Sequence, residues 1–148
     1  MILPKRHAIL FAAALIVSAG AVSWGATARA DDSLYRDFGE REGLVKIIDD
    51  ATGRWVGDER IKDTFDNINL VRFKRLLVDQ LCELTGGPCH YKGRDMYHAH
   101  KGLALNNAQF NALVENLQLA MDTYGIPFRT QNRLLAMLAP MQRDVVTR

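Results

Sequence analysis

The stretch GGPCHYKGRDMYHAHKG, Gly86 to Gly102, carries three of the four histidines in a chain of 148 residues. Imidazole is both a metal ligand and a proton carrier near neutral pH. The first question is whether these rings could act together. The run DMYHAHKG, Asp95 to Gly102, reads as a short helix starting at Arg94 or Asp95. On a helix, residues two apart point about 200° away from each other. His98 and His100 therefore cannot grip one metal from the same helix. Met96 and His100, four apart, share a face, and His98 falls on the opposite one with Lys101 or Tyr97. A short helix with one inward histidine among apolar neighbours suits the proximal side of a haem iron. The same spacing also fits an ordinary hydrogen-bonded core histidine. A zinc site is a third reading, because Cys82, Cys89, His90 and one of His98 or His100 offer the right atom types. Its spacing matches no common structural zinc motif.

The elements that must position these groups are helical. GLVKIIDDATGRWV places Leu44, Val45, Ile47, Ile48, Ala51, Trp55 and Val56 at three- and four-residue steps. NLVRFKRLLVDQLCEL repeats the pattern with Leu70, Phe73, Leu76, Leu77, Leu81 and Leu84, and Asn67 or Asn69 can cap it. TGGPC stops that helix: Gly86 and Gly87 can take positive φ, and Pro88 prevents continuation. Two more amphipathic helices follow, over Asn107–Gly125 and Pro127–Val146. Asn106 or Asn107 caps the first, Pro127 suits the opening turn of the second, and Pro140 should kink it. No run alternates with a period of two for long enough to read as a strand. Four substantial helices joined by short loops predict an all-α fold, a bundle or a globin-like packing.

Residues 1–30 read as a cleavable signal peptide and 31–148 as the mature domain. Lys5, Arg6 and His7 open the leader, Ala8 to Val22 is apolar and uncharged, and Ala28 and Ala30 flank Arg29 in an A-x-A pattern. The apolar run is short for a spanning helix. The reading is a periplasmic or secreted protein without stable membrane insertion after cleavage; an uncleaved anchor in the inner membrane is the alternative. The chain has 19 basic and 17 acidic residues. Losing Lys5, Arg6 and Arg29 leaves 16 against 17, so the mature net charge is −1 and a phosphate-tracking patch for nucleic acid is not expected. Export implies an oxidising compartment, which favours a disulfide between Cys82 and Cys89. Two unpaired thiols or metal ligation are the alternatives.

Five stretches in order carry a family resemblance: LYRDFG (34–39), DERIKDTFDNINLVRFK (58–74), LTGGPCHYKGRDMYHAHKGL (84–103), FNALVENL (110–117) and LAPMQRDVV (138–146). Together they span nearly all of residues 33–147. The Gly-Gly-Pro turn with Tyr91, Gly93, Met96 and His100 is the most specific part. The mature chain resembles the group I truncated haemoglobins, small globins with a two-over-two helical sandwich around a haem. The resemblance implies that His100 bonds the iron and that Phe65 wedges against the haem. It puts Phe73 and Leu77 on the distal helix, and Met96, Leu105, Phe110 and Leu138 along the haem. Tyr91, Lys92 and Arg94 lie in the loop where a cation could reach a haem propionate. The implied cofactor is a noncovalent b-type haem: no C-x-x-C-H motif is present, and the last helix has no histidine for attachment.

The departures from the family concern the distal side. Many members hold bound dioxygen with a tyrosine and a glutamine; Thr52 and Leu77 stand at those positions here. Each lost hydrogen bond costs about 0.5–1.5 kcal/mol, roughly 2- to 10-fold in dissociation rate. Dioxygen should therefore leave about one to two decades faster, less whatever Thr52 restores. Leu76 cannot ligate iron, and Lys74 and Arg75 are phased toward solvent or the propionates, so a five-coordinate iron is expected. The resemblance thus implies a carrier of dioxygen, nitric oxide or carbon monoxide. The alternatives are a haem enzyme, a nitric oxide dioxygenase or peroxidase-like protein needing an external electron donor, and a non-haem helical module that binds a metal or a partner protein.

Overall fold

The computed structural model describes residues 32–148. The signal-peptide reading concerns residues 1–30, which lie outside the described residues. Seven α-helices succeed one another: α1 (Ser33–Asp37), α2 (Glu40–Gly57), α3 (Leu70–Leu84), α4 (Met96–His100), α5 (Asn107–Thr123), α6 (Phe128–Leu138) and α7 (Gln142–Val145). Two 3₁₀ turns intervene, Lys62–Phe65 before α3 and Ala139–Met141 between α6 and α7. No strand occurs among the described residues.

α2 is the central element and packs against both α3 and α5. Its buried stripe is Leu44, Ile47, Ile48, Ala51, Thr52 and Trp55. The expected stripe also held Val45 and Val56, but these are exposed, because at 100° per residue they fall outside the arc facing α3 and α5. Trp55 donates its indole N–H to the Leu113 carbonyl at 3.0 Å, which ties α2 to α5. It also stacks on Phe65 and meets Phe73 edge-on, both at centroid distances of 6.1 Å. Three rings from α2, the first 3₁₀ turn and α3 thus form one wall.

The caps follow the side-chain chemistry. Asn69 accepts from the Arg72 N–H and starts α3. Asn106 and Gln109 form a reciprocal capping box at the start of α5, satisfying two donors that a helix start leaves over. Asp95 accepts from the His98 N–H and starts α4. At the end of α3 only the first of the two glycines takes positive φ, Gly86 at 86°. Gly87 is needed for a different reason: a Cβ there would sit 2.7 Å from Cys82 Sγ and from the Tyr35 ring. That crowding reflects a bond joining Cys82 to Cys89, whose Cα atoms are 5.7 Å apart, within the usual range. Pro140 does more than kink the last helix. It falls in the second 3₁₀ turn and divides the expected single helix into α6 and α7, since proline cannot donate to the i−4 carbonyl.

Candidate functional site

A cavity of about 500 Å³ opens between α3 on one side and α4, α5 and α7 on the other. α3 lines it with Phe73, Leu76, Leu77, Gln80 and Leu81, and Phe65, Ile48 and Trp55 extend that wall. Opposite stand Met96, Ala99 and His100 of α4. α5 contributes Phe110, Leu113, Val114 and Leu117, and the C-terminal segment contributes Leu138, Met141 and Val145. Leu105 closes the connection between α4 and α5.

His100 is the one imidazole in this lining. Its Nδ1 lies 2.7 Å from the Met96 carbonyl oxygen. A carbonyl can only accept, so Nδ1 carries a proton, and in the neutral ring the lone pair is then on Nε2. Nε2 has no hydrogen-bond partner among the described residues. A histidine pinned by its second nitrogen and presenting a free lone pair to a cavity has the arrangement of a metal-bound histidine. His98 is different: its side chain is 63% exposed and its Nδ1 lies 2.7 Å from Asp95. The hydrogen bond from the His98 backbone N–H, and then this side-chain one, hold the Asp95 carboxyl below its ordinary range. His90 is exposed beside Glu83.

Arg72 and Arg94 line the open edge of the cavity, and both are exposed. Neither has a carboxylate partner among the described residues, which leaves two guanidiniums shaped to receive carboxylates. Tyr91 lines the same edge and donates its hydroxyl to the Arg94 carbonyl at 2.7 Å. Burial pushes its phenol up, with a smaller contribution from the Asp95 charge. An apolar chamber, one lone-pair nitrogen and two unpaired cations at the mouth fit an amphipathic planar group with a metal centre and acidic substituents.

All nine expected haem-contact residues line this cavity: Phe65, Phe73, Leu77, Tyr91, Met96, His100, Leu105, Phe110 and Leu138. Lys92 does not, and Arg72 takes its place beside Arg94. Lys74 is occupied by an ion pair with Asp49 at 2.8 Å. Thr52 is the main departure, because it is not among the lining residues. It is 4% exposed, and its Oγ1 is buried without a partner. The larger Ile48 and Trp55, one turn to either side on α2, line the cavity where Thr52 does not. The zinc reading loses its thiolates, since both sulfurs are bonded to each other. No cluster of three or more metal-ligating side chains of the zinc type occurs among the described residues. Gln80 and Met141 also line the cavity, and neither was singled out from the sequence. Gln80 was findable, because it lies three residues beyond Leu77 and seven beyond Phe73, on the same helix face.

The family model "Bacterial-like globin" matches residues 33–147. A group 1 truncated hemoglobin of Tetrahymena thermophila is 41% identical over 98 residues, covering 66% of this chain and 81% of the relative. The one from Tetrahymena pyriformis is 29% identical over 114 residues, covering 77% and 94%. The crystal structure of the latter in its Fe(III) form superposes with a TM-score of 0.75, covering 78% of this chain and 98% of that one. The chain belongs to the bacterial-like globins, within them to the group I truncated haemoglobins with their two-over-two helical sandwich. Its cofactor is a haem, and haem-based binding of diatomic gases is the activity of the family.

Proposed function

We propose that the mature chain is an exported, noncovalent b-type haem protein that binds dioxygen, nitric oxide or carbon monoxide on a five-coordinate iron. The observation that carries this is His100, which lines an apolar cavity with its Nδ1–H fixed on the Met96 carbonyl and its Nε2 without a hydrogen-bond partner among the described residues. The haem supplies the metal to which a diatomic molecule binds. The chain does the rest. His100 would hold the iron, Phe65 and Phe110 would line the ring, and Arg72 and Arg94 would receive its carboxylates at the open edge. Phe73, Leu76 and Leu77 exclude water from the ligand side and offer no atom able to ligate. Dioxygen gathers negative charge on its outer atom and depends on hydrogen-bond donors more than carbon monoxide does, so this wall favours fast dioxygen release. The leader pattern supports export, and the pairing of Cys82 with Cys89 agrees with an oxidising compartment. Among the described residues no helix is long and apolar enough to cross a membrane.

Titrating hemin into the purified mature chain tests the reading. One Soret-absorbing haem per chain is expected. His100→Ala should abolish normal haem binding, and His98→Ala should leave it intact. A chain that stays colourless, or one in which His98→Ala is the damaging change, overturns the assignment.

A further inference from the structure

Among the described residues that line the cavity, Gln80 is the polar side chain more than nine-tenths buried, at 8% exposed. Its amide can donate two hydrogen bonds and accept two. The nearest acceptors for Nε2 are thioether sulfurs, Met96 Sδ at 3.7 Å and Met141 Sδ at 3.9 Å. Sulfur accepts weakly. The amide oxygen has no partner among the described residues. A donor is thus held in an apolar wall with its capacity barely used, and an oxygen acceptor arriving in the cavity would outcompete either sulfur.

Position favours such an encounter. Phe73, Leu77 and Gln80 form the inward stripe of α3. At a rise of about 1.5 Å per residue, Gln80 lies about 4.5 Å along the axis beyond Leu77. Side chains on a helix lean toward its N-terminus and cover the preceding turn. The amide of Gln80 now rests on Met96 and Met141 of the opposite wall, and its three rotatable bonds let it swing back into the space over Leu77, the position matched to the family's ligand-binding glutamine. Thr52, matched to the family's ligand-binding tyrosine, is not among the residues that line the cavity, and Thr64, Asn69 and Arg72 line it from the start of α3 and the turn before it.

We propose that Gln80 is the ligand-sensing hydrogen-bond donor of this pocket: its amide leaves the two sulfurs and bonds the outer atom of a diatomic ligand. This rests on the haem reading above. The bond strengthens with negative charge on the ligand, so Gln80 slows dioxygen release and hardly affects carbon monoxide. It partly restores what the apolar residues at 73 and 77 remove.

The test uses the haem-loaded, reduced mature chain. Stopped flow reads dioxygen and carbon monoxide dissociation, and infrared spectroscopy reads the C–O stretch of the carbon monoxide complex. Gln80→Leu should speed dioxygen release by roughly 2- to 10-fold, leave carbon monoxide release nearly unchanged and move the C–O band to higher wavenumber. Gln80→Met, unbranched and suited to a site beside two methionines, should do the same. Thr52→Val should alter none of these readings. If both variants load haem normally and neither the dioxygen rate nor the band moves, Gln80 only brackets the two sulfurs and the proposal is wrong. If neither variant loads haem, the wild-type C–O band decides: a shift in D₂O shows an exchangeable donor at the ligand and supports the assignment, and no shift overturns it. Failure of the wild-type chain to take up hemin counts against the haem reading itself, a separate result.

Discussion

Thr52 sits near the middle of α2 with its hydroxyl oxygen buried and without a hydrogen-bond partner. Helical threonines commonly bond the carbonyl four residues back, and this one does not. Its position in the chain matches a ligand-binding tyrosine of the family, but a tyrosine spans the distance to the cavity and a threonine does not. The hydroxyl therefore pays a desolvation cost without a compensating contact. Thr52→Val keeps the branched shape and removes the polar atom. It should stabilise the protein by about 1 kcal/mol, which for a domain of this size raises the melting temperature by roughly 4 °C. A thermal melt monitored by circular dichroism checks this, and a lower melting temperature would mean that a hidden partner holds the hydroxyl. The case marks a limit of sequence reading at this scale. The face that His100 shares with Met96 was legible because it depends only on helical spacing, while the ligand role of His100 was implied by the family resemblance and not by spacing. Whether Thr52 reaches the cavity depends on how Ile48 and Trp55 pack around it, and no spacing rule contains that.

Elements were legible where local chemistry decides them and less so where a junction does. The start of α3 at Asn69 and of α5 at Asn106 follow from capping side chains, and the division at Pro140 follows from a missing donor, although its extent was underestimated. The short 3₁₀ turn that presents Phe65 has no periodicity of its own. It is set by the junction around Asp58, where α2 ends. The Asp58 carboxylate accepts from the Arg60 backbone N–H at 2.9 Å, from the Arg60 guanidinium at 2.6 Å and from Asn116 of α5 at 2.7 Å. Arg60 also reaches Glu115 of α5 at 2.7 Å. The guanidinium hydrogen bonds first, then the Arg60 backbone and Asn116, hold the Asp58 carboxyl well below its ordinary value of 3.8. A carboxyl lowered by folding stabilises the native state above its unfolded pKa, and that contribution disappears as the pH falls through the folded value. The melting temperature of the wild type should therefore begin to drop below about pH 4, partly through this group. Asp58→Asn should melt lower at neutral pH and fall less steeply over the acid interval. Parallel slopes for the two proteins would remove Asp58 from the acid transition.

At the scale of the whole molecule, the fold joins the two walls of the haem cavity through one short segment. The distal helix ends at Leu84, and the proximal helix begins at Met96. Cys82 and Cys89 are bonded across the turn between them, and Arg41 of α2 reaches both Cys89 Sγ at 3.3 Å and Asp79 of α3 at 2.8 Å. A bond closing a loop of about eight residues limits the unfolded chain and should stabilise the fold by about 2–3 kcal/mol. Such a bond is favoured by an oxidising compartment, so the proposed export and the cysteine pairing can be tested in one experiment. Expression of the full chain in a bacterium that exports such leaders should yield a periplasmic protein beginning at Asp31 whose cysteines resist alkylation until reduced. The chain from residue 31 made in the cytoplasm should carry alkylatable thiols, melt lower and lose haem faster. Intact-mass measurement of both forms, with and without alkylation, separates the outcomes. Free thiols in a processed periplasmic form would show that the segment between the two haem walls is held without the bond, by contacts such as the Gly87 N–H on the Cys82 carbonyl and the Tyr35 N–H on the Thr85 carbonyl.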